Sequence, residues 1–566
     1  MSEKADSGAV MHDFPLGIGW HRRAVLAAMA ALGAQAFPRF DAFAATADPF
    51  ALGVASGDPA QDGFVLWTRL VGPAATPLPS RAVPVRFEIA EDEAFRRIVR
   101  AGVEVAHPAA AHSVHVELGG LRPGRTYWYR FHALGATSPV GRTKTVPLNA
   151  DRLRLALTSC QHWELGWFHA YRDMIAAAPD LIVQVGDYIY EQAYPDQPKV
   201  RSFGSPDPVD LEGYRARYAL YRSDKDLREA HRLFPWLVTW DDHEVLNDYA
   251  ALANREGLPP ELFAPRRAAA YQAYFEHMPI RPSLWRSKPT PRLFRGVDWG
   301  ELASLSMLDT RQYRSDPACA APQVARNVKL DHCRERHGAD RSMLGAMQEA
   351  WLVQRLERER RPWTLLAQGV FFAPLALDGT GEKVWSDQWD GYPAARDRLT
   401  EKLGLPSVNN AVVLSGDIHS FWVNDLKHGP VSGPTVGTEI VTSALAAQLP
   451  PPGRFGDVLA NNPHIRFSDV HHTGYVLMEV DKHRMSAQLR QIDARQRDAQ
   501  PRVLAIVEQE AGARREPAAV TSVSSPADMS ALQLKANRTA ITPCFGKSSR
   551  SCPDLGTTCA GRFIPG

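Results

Sequence analysis

Four short apolar runs in this chain each stop at a cluster of polar, chemistry-bearing residues, and that repeated design limits the available folds more than any other feature. Run 153–158 leads into Ser159-Cys160-Gln161-His162, and Leu181–Val185 leads into Gly186-Asp187-Tyr188-Ile189-Tyr190-Glu191. Run 236–240 leads into Asp241-Asp242-His243-Glu244, and Ala411–Ser415 leads into Gly416-Asp417-Ile418-His419. Short β-branched runs without helical spacing read as strands buried on both faces. Open α/β sheets place their ligands at the carboxyl ends of such strands. Carboxylates, imidazoles and a thiol that converge there have metal binding as their natural use.

At 566 residues the chain calls for two or three domains. A formal charge of +2 gives no long-range field to draw nucleic acid or an anionic membrane, so a small, locally contacted substrate fits better. Near the start, Arg22-Arg23 precede an apolar, alanine-rich run at 24–36, and Phe43-Ala44-Ala45 offers small residues for cleavage. Residues 1–46 are therefore expected to be an export signal of twin-arginine type, too short to span a bilayer. A periplasmic or secreted protein follows, delivered by the twin-arginine export machinery, with no transmembrane anchor later in the chain. Six cysteines suit an oxidising compartment. Cys319 with Cys333 is the first pairing expected and a pair among Cys544, Cys552 and Cys559 the next, while Cys160 stands apart at its strand end.

Residues 47–147 carry short alternating segments at 63–70, Val83–Ala90, 112–118 and Thr126–Ala133, separated by turns, which is the spacing of a small β-sandwich. Its segment 120–129 looks like the late hairpin of fibronectin type III-like modules, with tyrosines in core and corner positions. From 148 to 500 strands alternate with helical patterns, at 266–277 and 344–360 among others, and 365–371 reads as a further buried strand, so α/β layers are expected. Residues 501–566 form a C-terminal extension that becomes rich in Ser, Ala, Thr and Pro beyond 514; it is expected to drape over the main domain and to reach the active site.

The chemistry can be read position by position. Asp187, after a glycine at a strand end, can bridge two cations, and Tyr190 three residues on can place a phenolate on one of them. Phenolate and thiolate together favour ferric iron over zinc. The competing readings are a packed aromatic for Tyr190 and an inert buried thiol for Cys160. Asp242 and Asn247 supply the oxygen-rich ligation that suits calcium, and Asp417 and His419 add an acid and an imidazole two residues apart.

Taken together, Cys160-Gln161, the Gly186 to Glu191 stretch, Trp240-Asp241-Asp242-His243-Glu244, Asp309-Thr310-Arg311-Gln312-Tyr313-Arg314 and Gly416-Asp417-Ile418-His419 resemble, in order, the PhoD-like alkaline phosphatases and phosphodiesterases. The resemblance covers about 48 to 500. It implies a metallophosphoesterase β-sandwich flanked by helices behind the N-terminal sandwich, and a centre of one ferric iron and two calcium ions. Cys160, Asp187, Tyr190 and His419 would surround iron, with Asp187 bridging; Asp242, Asn247 and Asp417 would serve calcium, and further ligation by Asp241 or Glu244 stays open. His243 would contact the phosphate or leaving group, and Arg311 either contacts phosphate or braces the site.

The implied activity is release of phosphate from phosphomonoesters, and from some diesters, at alkaline pH. A metal-held hydroxide would attack in line without a phosphoserine intermediate. A phosphodiesterase or phospholipase D-like enzyme is the near alternative. A cell-envelope binding protein with a structural metal site is the alternative of another class. A monomer acting on a small phosphate ester, with no nucleic-acid-binding signature, is expected.

Overall fold

The computed structural model describes residues 48–72, 78–285, 291–321, 324–451, 453–455, 458–512 and 516–523, so the expected export signal and the three tail cysteines lie outside the described residues. Two β-sheets form the centre. The larger has ten strands, in the order Ala519–Ser522, Arg502–Glu510, Arg484–Gln491, Gly474–Asp481, Arg152–Thr158, Leu181–Val185, Pro235–Thr239, Val54–Gly57, Val65–Arg69 and Ser113–Glu117. The smaller has seven, in the order Arg295–Trp299, Ala303–Met307, Trp363–Ala367, Ala411–Ser415, Thr435–Val441, Phe421–Lys427 and Ile465–Asp469.

Strand Leu181–Val185 shows why the sheets stack. It runs parallel to both neighbours, with Val183 opposite Leu157 on one side and Leu237 on the other. Its alternate residues Leu181, Val183 and Val185 enter a core shared with Leu305, Leu365, Val412 and Leu414 of the second sheet. Ile182, on the other face, packs with Met174, Tyr218 and Leu227 of the helical layer. Both faces are thus covered, as a continuous apolar run requires, and each such side chain contributes about 1.5–3 kcal/mol by burial. The outer face of the second sheet is covered in the same way, where Leu366, Val413 and Val441 meet Leu352 and Leu356 of helix Gly345–Arg358 and Leu399 of helix Pro393–Leu403. The result is a β-sandwich between two helical layers.

Most of the expected strands match closely, with Leu181–Val185, Ala411–Ser415, Val83–Ala90 and Thr126–Ala133 observed at the expected bounds. The helix expected at 266–277 begins earlier, at Pro260. Pro259 and Pro260 read as a break in the sequence, yet a proline in the first turn lacks only an N–H that has no intrahelical partner there. Strand Ile98–Ala106 gives no clear sequence signal, because as an edge strand it is exposed along nearly its whole length.

The N-terminal region is a sandwich whose two sheets close on Leu66, Val85, Val116 and Tyr129. Tyr127 makes the expected corner, its hydroxyl accepting from the Arg122 N–H at 3.0 Å. One of the two sheets is not separate, however. Val54–Gly57 pairs in parallel with Pro235–Thr239, Ser56 opposite Pro235 and Gly57 opposite Trp236, so three N-terminal strands continue the ten-stranded sheet. At the other edge, Arg502–Glu510 and Ala519–Ser522 are sheet strands, so the C-terminal extension begins inside the fold, with Ala505 and Val507 in the inter-sheet core. Cys319 and Cys333 form the expected disulfide, and Cys160 is free and buried.

The join has a tight point. A β-carbon on Gly57 would lie 2.2 Å from the Pro279 carbonyl oxygen and 2.8 Å from that of Trp236. Gly57→Ala is expected to destabilise the protein by about 1–3 kcal/mol. In chemical denaturation the midpoint should fall with the N-terminal and central regions still unfolding together; two separated transitions would count against a shared sheet.

Candidate metal centre

The parallel strands of both sheets finish at one end of the sandwich, and the backbone turns sharply there. Cys160, Asp187, Asp417 and His419 each follow a strand and adopt left-handed φ values of 56°, 56°, 66° and 53°, and Asp248 joins them at 61°. Such conformations cost about 1–3 kcal/mol each at non-glycine residues and persist only where surrounding contacts enforce them. One of those contacts is Glu244. Its fully buried carboxylate accepts the N–H groups of Tyr188 at 2.6 Å, Asp187 at 3.2 Å and Asp241 at 2.8 Å, tying two loops together. Gly186, at φ 108°, permits their approach, since a β-carbon there would sit 2.3 Å from the Asp241 β-carbon.

Four overlapping groups of side chains bring ligand atoms within 4.8 Å of one another: Cys160, Asp187 and His419; Asp187, Asp242 and His243; Asp241, Asp242 and Asp417; Asp242, Asp248 and Asp387. Tyr190 belongs beside the first, its hydroxyl donating to Asp187 Oδ2 at 2.9 Å and lying 2.9 Å from His419 Nε2. His419 Nδ1 is 2.6 Å from the Gln448 carbonyl oxygen, which makes Nδ1 the donor and leaves Nε2 to face the centre. His243 is fixed from behind in the same manner: Nδ1 lies 2.6 Å from Glu191 Oε2, and its ring packs on that of Tyr190 at 4.0 Å between centroids. Glu191 also accepts the Asn247 N–H at 2.8 Å.

Burial sets the electrostatics. It pushes the Cys160 thiol, the Tyr190 phenol and the Asp187 carboxyl well up, and the neighbouring acids add to the rise. Asp417 and Asp248 are pushed up to about 7, chiefly by burial and then by other aspartates. Asp242 goes the other way. Burial opposes its charge, but Arg311 and His243 override that and hold it below the usual carboxylate range. Arg311 is itself fully buried, with its guanidinium engaged by Asp241, by Asp387 at 2.9 Å, and at longer range by Asp242 at 3.7 Å and Asp417 at 3.8 Å.

The donor set suits cations. Buried Asp187 Oδ1 and Asp242 Oδ1 have no hydrogen-bond partner, so each presents a full acceptor to the interior of the cluster. A cation would satisfy both oxygens and ionise the acids that burial protonates.

All nine residues singled out in the sequence belong to this neighbourhood, although not in equal ways. Cys160, Asp187, Asp242, His243, Asp417 and His419 fall in the four groups, with Tyr190 and Arg311 bonded to them. Asn247 meets the site through its backbone, while the next residue, Asp248, presents its carboxylate to Asp242 and Asp387. Sequence reasoning passed over Glu191, Asp248 and Asp387. The first two stand inside or beside motifs already marked. Asp387 follows a strand of only two residues, Val384–Trp385, and no buried run announces it.

A sandwich of two sheets with a deep acidic centre at its strand ends is of the class of sites suited to holding metal ions. Comparison with known proteins narrows it. Residues 155–489 match the family described as PhoD-like phosphatase, and residues 34–147 match the PhoD-like phosphatase N-terminal domain. The chain is 42% identical over 468 residues to alkaline phosphatase D of Bacillus subtilis (strain 168), covering 79% of this chain and 78% of that relative. A solved structure titled "Structure of PhoD" superposes with a TM-score of 0.80 at 39% identity, over 86% of this chain and 94% of the other. The chain belongs to the PhoD-like phosphatase family, and it is an enzyme that hydrolyses phosphate esters.

Glu244 offers a test of how the loops are held. Glu244→Gln leaves at least one of the three backbone amides facing an N–H group in place of an oxygen, at about 1–3 kcal/mol. The expected outcome is a lower denaturation midpoint together with weaker metal retention on dialysis. Unchanged values for both would show that the clamp is dispensable.

Proposed function

We propose that the protein is an exported alkaline phosphatase that releases phosphate from phosphomonoesters, using one ferric and two calcium ions held by the strand-end cluster. One observation carries the reading: three of the four ligand groups share Asp242, and its unpartnered Oδ1, with that of Asp187, lies buried among them. In this reading Cys160, Asp187, Tyr190 and His419 hold iron, since a thiol and a phenol beside a carboxylate and an imidazole form a donor set that zinc rarely recruits. Asp187, which falls in two of the groups, would serve calcium as well. Asp242, Asn247 and Asp417 serve the calcium ions, and the carboxylates of Asp241, Asp248 and Asp387 lie close enough to join them. When bound, the cations offset the ester's negative charge and lower the pKa of water.

The chain's own residues do the rest. Glu191 receives the Nδ1 proton of His243, so Nε2 is the atom that meets the phosphate or hands a proton to the leaving oxygen. Tyr194, whose hydroxyl is 3.4 Å from Nε2, flanks that position. Of the two uses open to Arg311, bracing fits its contacts better, because its guanidinium is fully buried against carboxylates. Export follows from the sequence of the first 46 residues, and no helix among the described residues is long and apolar enough to cross a membrane. The fibronectin type III-like character of residues 47–147 remains part of the proposal, supported by the sandwich core and the corner at Tyr127.

Metal analysis of the purified protein, paired with rates on a phosphomonoester and a phosphodiester, tests the reading. Near-stoichiometric iron with two calcium per chain and a faster monoester are expected. Zinc or manganese without iron would overturn the ligand roles, and a dominant diester rate would make the enzyme a phosphodiesterase. Asp187→Asn should lose both metals and turnover. His243→Ala should retain its metals and lose about 100-fold or more in kcat, the range of a positioned acid–base group.

A further inference from the structure

Strand Ile98–Ala106 closes the five-stranded sheet of the N-terminal module at one edge, and it pairs on one side alone, with Val83–Ala90. Along its other side the alternate backbone N–H and C=O groups have no partner among the described residues. Such a row is a template for a further strand, and natural edges blunt it with lysine, proline or a bulge. A bulge is present at Val99, which falls between Ile98, opposite Ala90, and Arg100, opposite Ile89. From Arg100 to Ala106 the ladder is regular and holds neither lysine nor proline. That stretch instead exposes Val103 at 60% and Val105 at 44%.

The edge is complementary to itself about Gly102. When two copies of the strand run antiparallel around that residue, Arg100 faces Glu104, Ala101 faces Val103, and at the ends Val99 and Ile98 meet Val105 and Ala106. Opposite residues of an antiparallel pair share a face, so the opposite charges meet on one face and alanine meets valine on the other. The neighbouring two-fold registers, centred on Ala101 or Val103, set Glu104 against Ile98 or Gly102 and leave every charge without its opposite. Both charged side chains are available. The Glu104 carboxylate has no ion pair or hydrogen bond among the described residues, and Arg100 has only a 3.4 Å contact with the Gly119 carbonyl oxygen. At the centre, a β-carbon on Gly102 would lie 2.5 Å from the Phe87 ring, so that ring lies across the strand where the two copies would meet.

We propose that this strand is the contact of a two-fold dimer, in which a second copy of the chain adds its own Ile98–Ala106 antiparallel and the two N-terminal sheets become one. The dimer takes the place of the monomer expected from the sequence. A two-fold contact presents the same patch from both copies, so the pairing of Arg100 with Glu104 occurs twice, once on each side of the axis. The exposed valines are covered, and the unpaired backbone groups of each edge satisfy those of the other. None of the residues involved belongs to the metal centre.

Sedimentation velocity of the full, metal-loaded protein over a concentration series up to about 100 µM tests the dimer. The wild type should pass from monomer to dimer along the series. Arg100→Glu sets carboxylate against carboxylate in both pairs, and Glu104→Arg sets guanidinium against guanidinium. Each variant alone should raise the dimer dissociation constant about tenfold or more, with turnover of a phosphate ester unchanged as the sign of an intact fold. An equimolar mixture of the two variants restores both opposite-charge pairs and should dimerise as the wild type does, which a merely damaged fold would not do. A wild type that stays monomeric throughout overturns the proposal and leaves the edge to an extended segment of another protein. Variants that dimerise as tightly as the wild type, or a mixture no tighter than either variant alone, overturn it equally.

Discussion

The mutual repulsion of buried carboxylates is the constraint on which the rest of this structure depends. Asp187, Asp241, Asp242, Asp248, Asp387 and Asp417 crowd one end of the sandwich, and Arg311 and Arg314 are the guanidinium groups bonded among them. Fully ionised, the acids would outnumber those cations by four, and each uncompensated buried charge costs several kcal/mol. Arg311 carries much of the balance. It lies among four of the aspartates, and with His243 it keeps Asp242 ionised against the pull of burial. The remaining acids are left to hold protons or to meet metal ions. The protein therefore folds around a deficit of positive charge that its ligands and substrate chemistry both need.

Holding such a cluster demands a frame that does not yield. The left-handed turns after the strands would relax if they were free, and they are not free. Glu244 spends its carboxylate on backbone amides from two loops, Glu191 spends its own on His243 and Asn247, and Glu439 binds the amides of Phe372 and Ala373 as well as Ser415. Each is a buried acid whose oxygens are taken up by fixed donors, which braces the loops that carry the aspartates in front of it. The neighbourhood thus separates acids that organise the loops from acids left open to cations.

Much of this was legible in the sequence, because the strands that feed the centre are buried on both faces and so appear as unbroken apolar runs. Leu181–Val185 and Ala411–Ser415 could be bounded to the residue for that reason. The motifs after them named the thiol, the phenol, both imidazoles and four of the aspartates. What escaped is what local pattern does not encode. Asp387 reaches the centre from a loop anchored by the two-residue pairing of Lys329–Leu330 with Val384–Trp385, a contact between distant segments. Asp248 stands one residue past Asn247, and its carboxylate joins the cluster through a left-handed φ that only the folded loop imposes. The fusion of the N-terminal sheet with the central one was equally hidden, since Val54–Gly57 is too short to declare its partner.

That fusion changes what the N-terminal module is for. Val54–Gly57 lies directly against Pro235–Thr239, the strand that ends in Asp241 and Asp242, so the module supports the most charged segment of the site from the side away from Leu181–Val185. The disulfide loop does the corresponding work elsewhere. Between Cys319 and Cys333, Val328 exchanges hydrogen bonds with Ser386, the residue before Asp387, and Asn254 is paired with Val324 and Ala325 not far beyond Asp248. Two acids of the same group are thereby pinned from outside the sandwich. A strand-end centre alone would depend on loops, the parts of a fold most ready to move. Here a sheet extension on one side and a covalent strap on the other convert those loops into parts of the frame, which is what a crowded acidic cluster requires if it is to stay assembled between turnovers.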